Sequence, residues 1–234
     1  MSGLTVEQLT LAWQAASLLL GYPDQHLIER LDLIQQAADE LPDHVGGPLR
    51  ATVGRLKGEG LTELEADYVE TFDNRRRHNL FLTYFAHGDT RKRGLALLRF
   101  KQVYQSSGFD LDDNGPAGPE LPDHLCVVLE FAATIDQEQG RQLLLDHRAG
   151  LELLRISLAE HASRWAGAVE AVTATFPPLK GDELEAISRL AAEGPPAEEV
   201  GLTPYATPGF DPGPAAPGDS SPTLLPMPTF RGGG

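Results

Sequence analysis

Two stretches of the chain concentrate residues capable of chemistry. Tyr68–Gly94 reads YVETFDNRRRHNLFLTYFAHGDTRKRG, and Glu120–Ala133 reads ELPDHLCVVLEFAA. Metal binding would need ligands at a fixed pitch. The histidines (His26, His44, His78, His87, His124, His147 and His161) are scattered, and none forms the i, i+4 pair with an interposed glutamate that zinc hydrolases use. Thiol catalysis would need a base beside Cys126. His124 lies two residues before it, and neighbours at that separation point to different sides of a helix. Cys126 therefore reads as a buried free cysteine. Phosphate binding finds its best match in Gly88–Gly94, where glycines and cations precede a helix start, since backbone N–H groups there can hold an anion. This stretch lacks the Gly-Lys-Ser/Thr ending of a P-loop and follows no strand, so a capped helix with a solvated basic turn is expected. No catalytic set, metal site or cofactor is expected.

Other polar and aromatic groupings point towards binding. Arg75–Arg77 and Arg91–Arg93 are basic clusters in an acidic chain. They can pair with Glu70, Asp73 and Asp89, at ~0–1 kcal/mol per exposed pair, or grip acidic groups of a partner. Tyr68 and Phe72, four apart, share one helical face, a spacing that suits either core packing or a partner contact. In Leu121-Pro122-Asp123-His124-Leu125, Pro122 suits the first turn of a helix and Asp123 the positive end of its dipole. His124 would be fixed by that turn, where a partner's polar groups can be met.

Helices must position these residues. Nearly every periodic stretch repeats at three and four residues, with no convincing alternating strand pattern, which predicts an all-α single-domain bundle over residues 1–193. Thr5 and Gln8 form a capping-box pattern ahead of Leu9, Trp13, Ala16 and Leu20. Asp24 can cap a helix whose stripe is Leu27, Leu31, Ile34 and Ala38. A weaker third helix carries Leu49, Val53 and Leu56. Thr62 and Glu65 repeat the capping-box pattern ahead of Tyr68, Val69 and Phe72. The block Leu80–Phe85 would surround a helix and so be deeply buried. Asp89 or Thr90 can cap a helix with Leu95, Leu98, Val103 and Tyr104 on its stripe. Leu125, Val128, Leu129 and Ala132 form the next stripe. One broken or two consecutive long helices span Leu143 to Val172, ended by Pro177-Pro178, and a short helix covers roughly 182–193. From 194 to 234 proline and glycine dominate without periodicity, which predicts a disordered tail. Within it, Leu224–Phe230 is apolar enough to dock.

Composition narrows the function classes. The chain has 234 residues and a net charge of -15 from 34 acidic and 19 basic residues, which disfavours nucleic acid and anionic membranes and favours basic partners. A single cysteine allows no intrachain disulfide and fits a reducing compartment. The N-terminal stretch has no basic region before its apolar residues, and no run approaches the ~20 apolar residues of a membrane span. A soluble, cytoplasmic protein without direct membrane insertion is expected.

The two opening stretches are similar to those of the NarJ-type assembly chaperones of respiratory nitrate reductase, within the wider family of redox-enzyme maturation chaperones. Tyr68-x-x-x-Phe72-Asp73 resembles the family's Tyr-x-x-Leu-Phe-Asp, with Thr71 where leucine is common. His87-Gly88-Asp89-Thr90-Arg91-x-Arg93-Gly94 resembles its His-Gly-Glu-Ser-Arg-x-Arg-Gly. Pro122-Asp123-His124, with Glu130 following, resembles its Pro-Asp-His motif. The resemblance implies an all-helical, non-enzymatic, cytoplasmic chaperone. Such a chaperone binds the N-terminal segment of the nitrate reductase catalytic (alpha) subunit and supports molybdenum-cofactor insertion and assembly. A related alternative is proofreading of another molybdoenzyme's twin-arginine signal peptide. Partner binding is implied for Tyr68, Phe72, His87, Arg91, Pro122, Asp123, His124 and Glu130, in an apolar groove with an acidic border that takes an amphipathic, basic helix.

Overall fold

The computed structural model describes residues 3–111 and 120–194. Apart from Gly194, the predicted tail lies outside them. α1 (Val6–Leu20) starts at the expected capping box: Gln8 N–H donates to Thr5 Oγ1 at 3.2 Å, and Thr5 N–H to Gln8 Oε1 at 3.0 Å. α2 (Gln25–Asp39) is capped by Asp24, whose Oδ1 accepts from Leu27 N–H at 2.8 Å, and it buries the predicted Leu27, Leu31, Ile34 and Ala38. α3 (Asp43–Lys57) buries Leu49, Val53 and Leu56.

α4 (Leu61–Tyr68) departs from the predicted Thr62/Glu65 box. The helix begins two residues earlier. Gly60 N–H donates to Glu63 Oε2 at 2.9 Å, and Leu64 falls inside the helix, fully buried. Val69–Asp73 then widen into a π turn closed by Asn74 N–H to Val69 C=O at 3.3 Å, and Arg76–His78 form a 3₁₀ turn. The Leu80–Phe85 block is buried except for half-buried Phe81, but only its second part is helical, in α5 (Leu82–His87).

α6 (Arg91–Ser106) corrects another expectation. Of the predicted stripe, Tyr104 is buried and Val103 half-buried, but Leu95 and Leu98 are 73% and 55% exposed, and Phe100 is buried instead. Turning the Phe100 ring inward beside Tyr104 removes a large apolar area from water, and the face that carries Leu95 and Leu98 points out. Pro122, expected in the first turn of the next helix, lies ahead of it: α7 (Leu125–Thr134) starts after His124. The predicted Leu125, Val128, Leu129 and Ala132 are buried.

The region from Leu143 to Val172 holds three helices instead of one or two: the end of α8 (Gln137–Asp146), then α9 (Arg148–Glu160) and α10 (Ala166–Ala174). Ala162 has φ 50°, and Ser163 N–H returns to Leu158 C=O at 2.9 Å. This is a Schellman-type stop with alanine in the left-handed position usually held by glycine. α11 (Gly181–Glu193) matches the short last helix.

The described residues thus form an all-α bundle. α1 packs on α7, α10 and α2; α3 lies on α10 and α2; α9 on α10 and α11; and α5 on α6 and α9. Trp13 and Trp165 are fully buried in this core. A Cβ added at Gly167 would sit 2.2 Å from Pro48 C=O, so α10 and α3 approach to backbone contact there. No helix among the described residues is long and apolar enough to cross a membrane.

Candidate functional site

The two sequence stretches meet at one junction. Leu125 N–H donates to Leu80 C=O at 2.8 Å and Leu82 N–H to Asp123 C=O at 2.9 Å, which forms a lone antiparallel bridge between Phe81 and His124. Asp123 is fully buried, and its Oδ2 accepts from both Thr83 N–H (3.1 Å) and the Thr83 hydroxyl. Arg93 closes the knot. Its Nη2 lies 3.7 Å from Asp123 Oδ2, its Nε donates to Thr83 Oγ1 at 3.2 Å, and its Nη1 donates to Asp89 Oδ1 at 3.2 Å.

Rings shield this knot from water. The Arg93 guanidinium lies 5.2 Å from the Phe81 ring centre, and the His124 ring meets Phe81 edge-on at 5.2 Å. Burial lowers the His124 pKa, against the raising effect of the Asp123 carboxylate, and so favours a neutral ring. The Tyr104 hydroxyl donates to Pro122 C=O at 2.6 Å, and burial pushes its pKa up. Asp123 Oδ1, Arg93 Nη2 and His124 Nδ1 are buried without a hydrogen-bond partner among the described residues. Ahead of α6, Gly88 has φ 56°, a turn that only glycine adopts freely.

Pro122, Asp123 and His124 are therefore brought together with the 81–93 segment. His87 is half-buried at the end of α5, its C=O accepting from the Thr90 hydroxyl at 2.8 Å, and Arg91 is exposed at the start of α6. Tyr68 and Phe72 belong to a separate aromatic cluster. Tyr68 is 7% exposed and its hydroxyl donates to Leu20 C=O at 2.8 Å; its ring lies 4.7 Å from Phe72 and 5.4 Å from both Trp165 and Tyr22. A cleft of about 280 Å³ opens beside exposed Tyr22. Glu130 is exposed on α7. Cys126 is half-buried, where a buried free cysteine was expected, and desolvation raises its pKa, which favours the protonated thiol. Of the basic clusters, Arg75 forms a surface pair with Glu70 at 3.4 Å, while the largely buried Arg93 reaches exposed Asp89.

Sequence reasoning did not single out Thr83 or Tyr104 as site residues, nor assign Arg93 to Asp123. Both groupings span long sequence separations, which no helical period reveals. Next to the junction, α5, the α8–α9 corner and α11 enclose a cleft of about 330 Å³. Leu82, Phe85, Ala86, Gly150 and Leu190 form its apolar lining, with His147 beside them and Asp146, Arg189 and Glu193 exposed around it. Leu82 and Phe85 belong to the helix anchored by Asp123, so the junction sets the position of one wall.

The family model "Nitrate reductase delta subunit" matches residues 32–171. The chain is 42% identical over 167 residues to the nitrate reductase-like protein NarX of Mycobacterium tuberculosis, covering 70% of this chain and 24% of that protein. It thus spans about a quarter of that relative. It is 33% identical to the probable nitrate reductase molybdenum cofactor assembly chaperone NarJ of Bacillus subtilis, covering 69% of this chain and 85% of the relative. Against the nitrate reductase molybdenum cofactor assembly chaperone NarJ of Escherichia coli K12, the identity is 33%, over 64% of this chain and 63% of the relative. With the paired sequence stretches folded onto a single junction and a family model matching more than half of its length, the chain belongs to the nitrate reductase delta subunit family.

Proposed function

We propose that this protein is a cytoplasmic, non-enzymatic chaperone that binds the N-terminal segment of the nitrate reductase catalytic subunit and supports molybdenum-cofactor insertion and enzyme assembly. Family membership, together with relatives named as assembly chaperones, carries the reading. The cleft between α5, α9 and α11 supports it physically: an apolar floor suits the face of an amphipathic helix, and a net charge of -15 draws a basic one in. In this reading Pro122, Asp123 and His124 position α5 from beneath, while His87 ends α5 and Arg91 opens α6, both outside the cleft lining. Tyr68 and Phe72 brace the neighbouring core, and Glu130 adds to the acidic surface.

Titration calorimetry with a peptide from the start of the reductase catalytic subunit tests the proposal. Binding should weaken as salt rises. Ala86→Arg, at an exposed position of the cleft wall, should weaken it by at least about tenfold, the equivalent of ~1.4 kcal/mol, with thermal stability unchanged. Absence of binding at high micromolar peptide would refute the reading. Equal or tighter binding of a twin-arginine signal peptide in competition would redirect it to another molybdoenzyme.

A further inference from the structure

α6 is an anomaly on an acidic protein. Its residues include Arg91, Lys92, Arg93, Arg99 and Lys101, with no aspartate or glutamate. Arg93 turns inward to the Asp123 knot, whereas Arg91, Lys92 and Arg99 are exposed. Leu95 and Leu98, 73% and 55% exposed, share the outward stripe with Arg91 and Gln102, at the i, i+4, i+7 and i+11 positions of one face. Gly94 is also exposed, and a Cβ there would meet nothing within 4 Å, so a partner backbone can come close beside the leucines.

We propose that this face of α6 docks an acidic amphipathic helix of a second protein, its apolar residues seated on Leu95 and Leu98 and its carboxylates beside Arg91 and Lys92 at one end and Arg99 at the other. Three observations select this occupant. Arg91 and Arg99 are eight residues apart, about 12 Å along the axis, a span that matches carboxylates two turns apart on a facing helix. The aromatic residues of α6, Phe100 and Tyr104, are buried, so the outward face lacks the Trp or Phe anchors of membrane-surface helices. The remainder of the chain carries a net charge of -20, 34 acidic against 14 basic residues, beside this helix's five cations, which disfavours an extended anionic bilayer or nucleic acid that must also meet the surrounding acidic surface but leaves a short acidic helix, within the ~8 Å screening length of the cations, free to approach. Arg99 already pairs with Asp146 at 2.8 Å, so it serves as a displaceable contact and Lys92 as a primary one. This surface is opposite in sign to the partner chemistry of the proposed client cleft, so the protein can hold two segments at once.

The test uses the full chain and a synthetic helical peptide of Glu, Ala and Leu with two leucines three apart flanked by glutamates, and a counterpart with every Glu replaced by Lys. Fluorescence anisotropy should show the acidic peptide binding at least about tenfold more tightly, with affinity falling as salt rises. Leu95→Ser/Leu98→Ser should weaken acidic-peptide binding at least about tenfold, and Lys92→Glu should weaken it several-fold and narrow the preference over the lysine peptide. Both variants should keep the parent melting temperature and bind the reductase peptide as the parent does. Equal binding of the two peptides, or no effect of these substitutions, overturns the inference. So does leucine-dependent co-sedimentation with phosphatidylglycerol vesicles that the acidic peptide fails to displace, which would make the occupant a membrane. A leucine-dependent shift in sedimentation of the free chain also overturns it, by making the occupant a second copy. Loss of reductase-peptide binding alone would sink the proposed function and leave this inference standing.

Discussion

Between Thr5 and Asp39 each helix begins on a side-chain cap and buries one apolar stripe, whereas between Tyr68 and His124 the chain passes through a π turn, a 3₁₀ turn, a lone β-bridge and a buried carboxylate. The first region is held by non-directional burial, which tolerates small displacements. The second is held by directional bonds between Asp123, Thr83 and Arg93, with several polar atoms left unpaired among the described residues. Natural sequences keep such costly features where position matters more than stability. Here the feature fixes α5, one wall of the cleft shared with α9 and α11, against the start of α7.

Asp123→Ala breaks the comparison most severely. It strands Arg93 in a largely buried site and removes both acceptor contacts of Thr83, and losing one member of a buried pair costs roughly 3–5 kcal/mol. The 3.7 Å separation and the partial exposure of Arg93 place this case near the lower end, about 3 kcal/mol. Urea denaturation should show that loss; a cost below ~1 kcal/mol would mean that the knot is not what holds the junction. Gly167→Ala probes the other region. A methyl group driven against the Pro48 backbone carbonyl must push α10 off α3, at about 2–3 kcal/mol. A fully tolerated Gly167→Ala would show that the helices can part there without loss.

What the sequence made legible follows the same division. The caps at Thr5 and Asp24 and the stripe Leu27, Leu31, Ile34, Ala38 are local patterns, readable within two helical turns. The stop at Ala162 was not readable, because alanine fills a position that glycine normally marks. In the α6 stripe Val103 and Tyr104 were placed correctly and Leu95 and Leu98 were not, because apolar spacing alone does not rank those leucines against Phe100 for the inner face; Arg93 also had to face inward to reach Asp123, a partner thirty residues away. For the junction, Pro122-Asp123-His124 and His87–Gly94 were visible as motifs. That they converge was not, since the bridge from Phe81 to His124 joins residues far apart in sequence. Tyr68 and Phe72 sat correctly on one face, but that face turned into an aromatic core around Trp165.

Asp24→Ala calibrates the legible region. Removing one side-chain cap from α2 should cost about 1 kcal/mol, a third of the Asp123→Ala effect. Near-equal losses for the two substitutions would erase the distinction drawn between the regions.

The most gradual effect is titration of the second region. Burial lowers the pKa of His78 and His124, and of His147 beside the cleft, below the ordinary value of about 6.5. The unfolded chain therefore binds more protons than the folded one between 6.5 and those lowered values, so stability rises with pH across that window. It is fully present above about 6.5 and is lost progressively as the pH falls towards the folded-state values. The melting temperature should decline on acidification from pH 7, and His124→Asn should make that decline shallower, because the substituted ring no longer has to be kept neutral beside Phe81. If His78→Asn and His124→Asn both leave the slope unchanged, the acid sensitivity belongs instead to the carboxylates distributed over the whole bundle, and the junction has no special share in it.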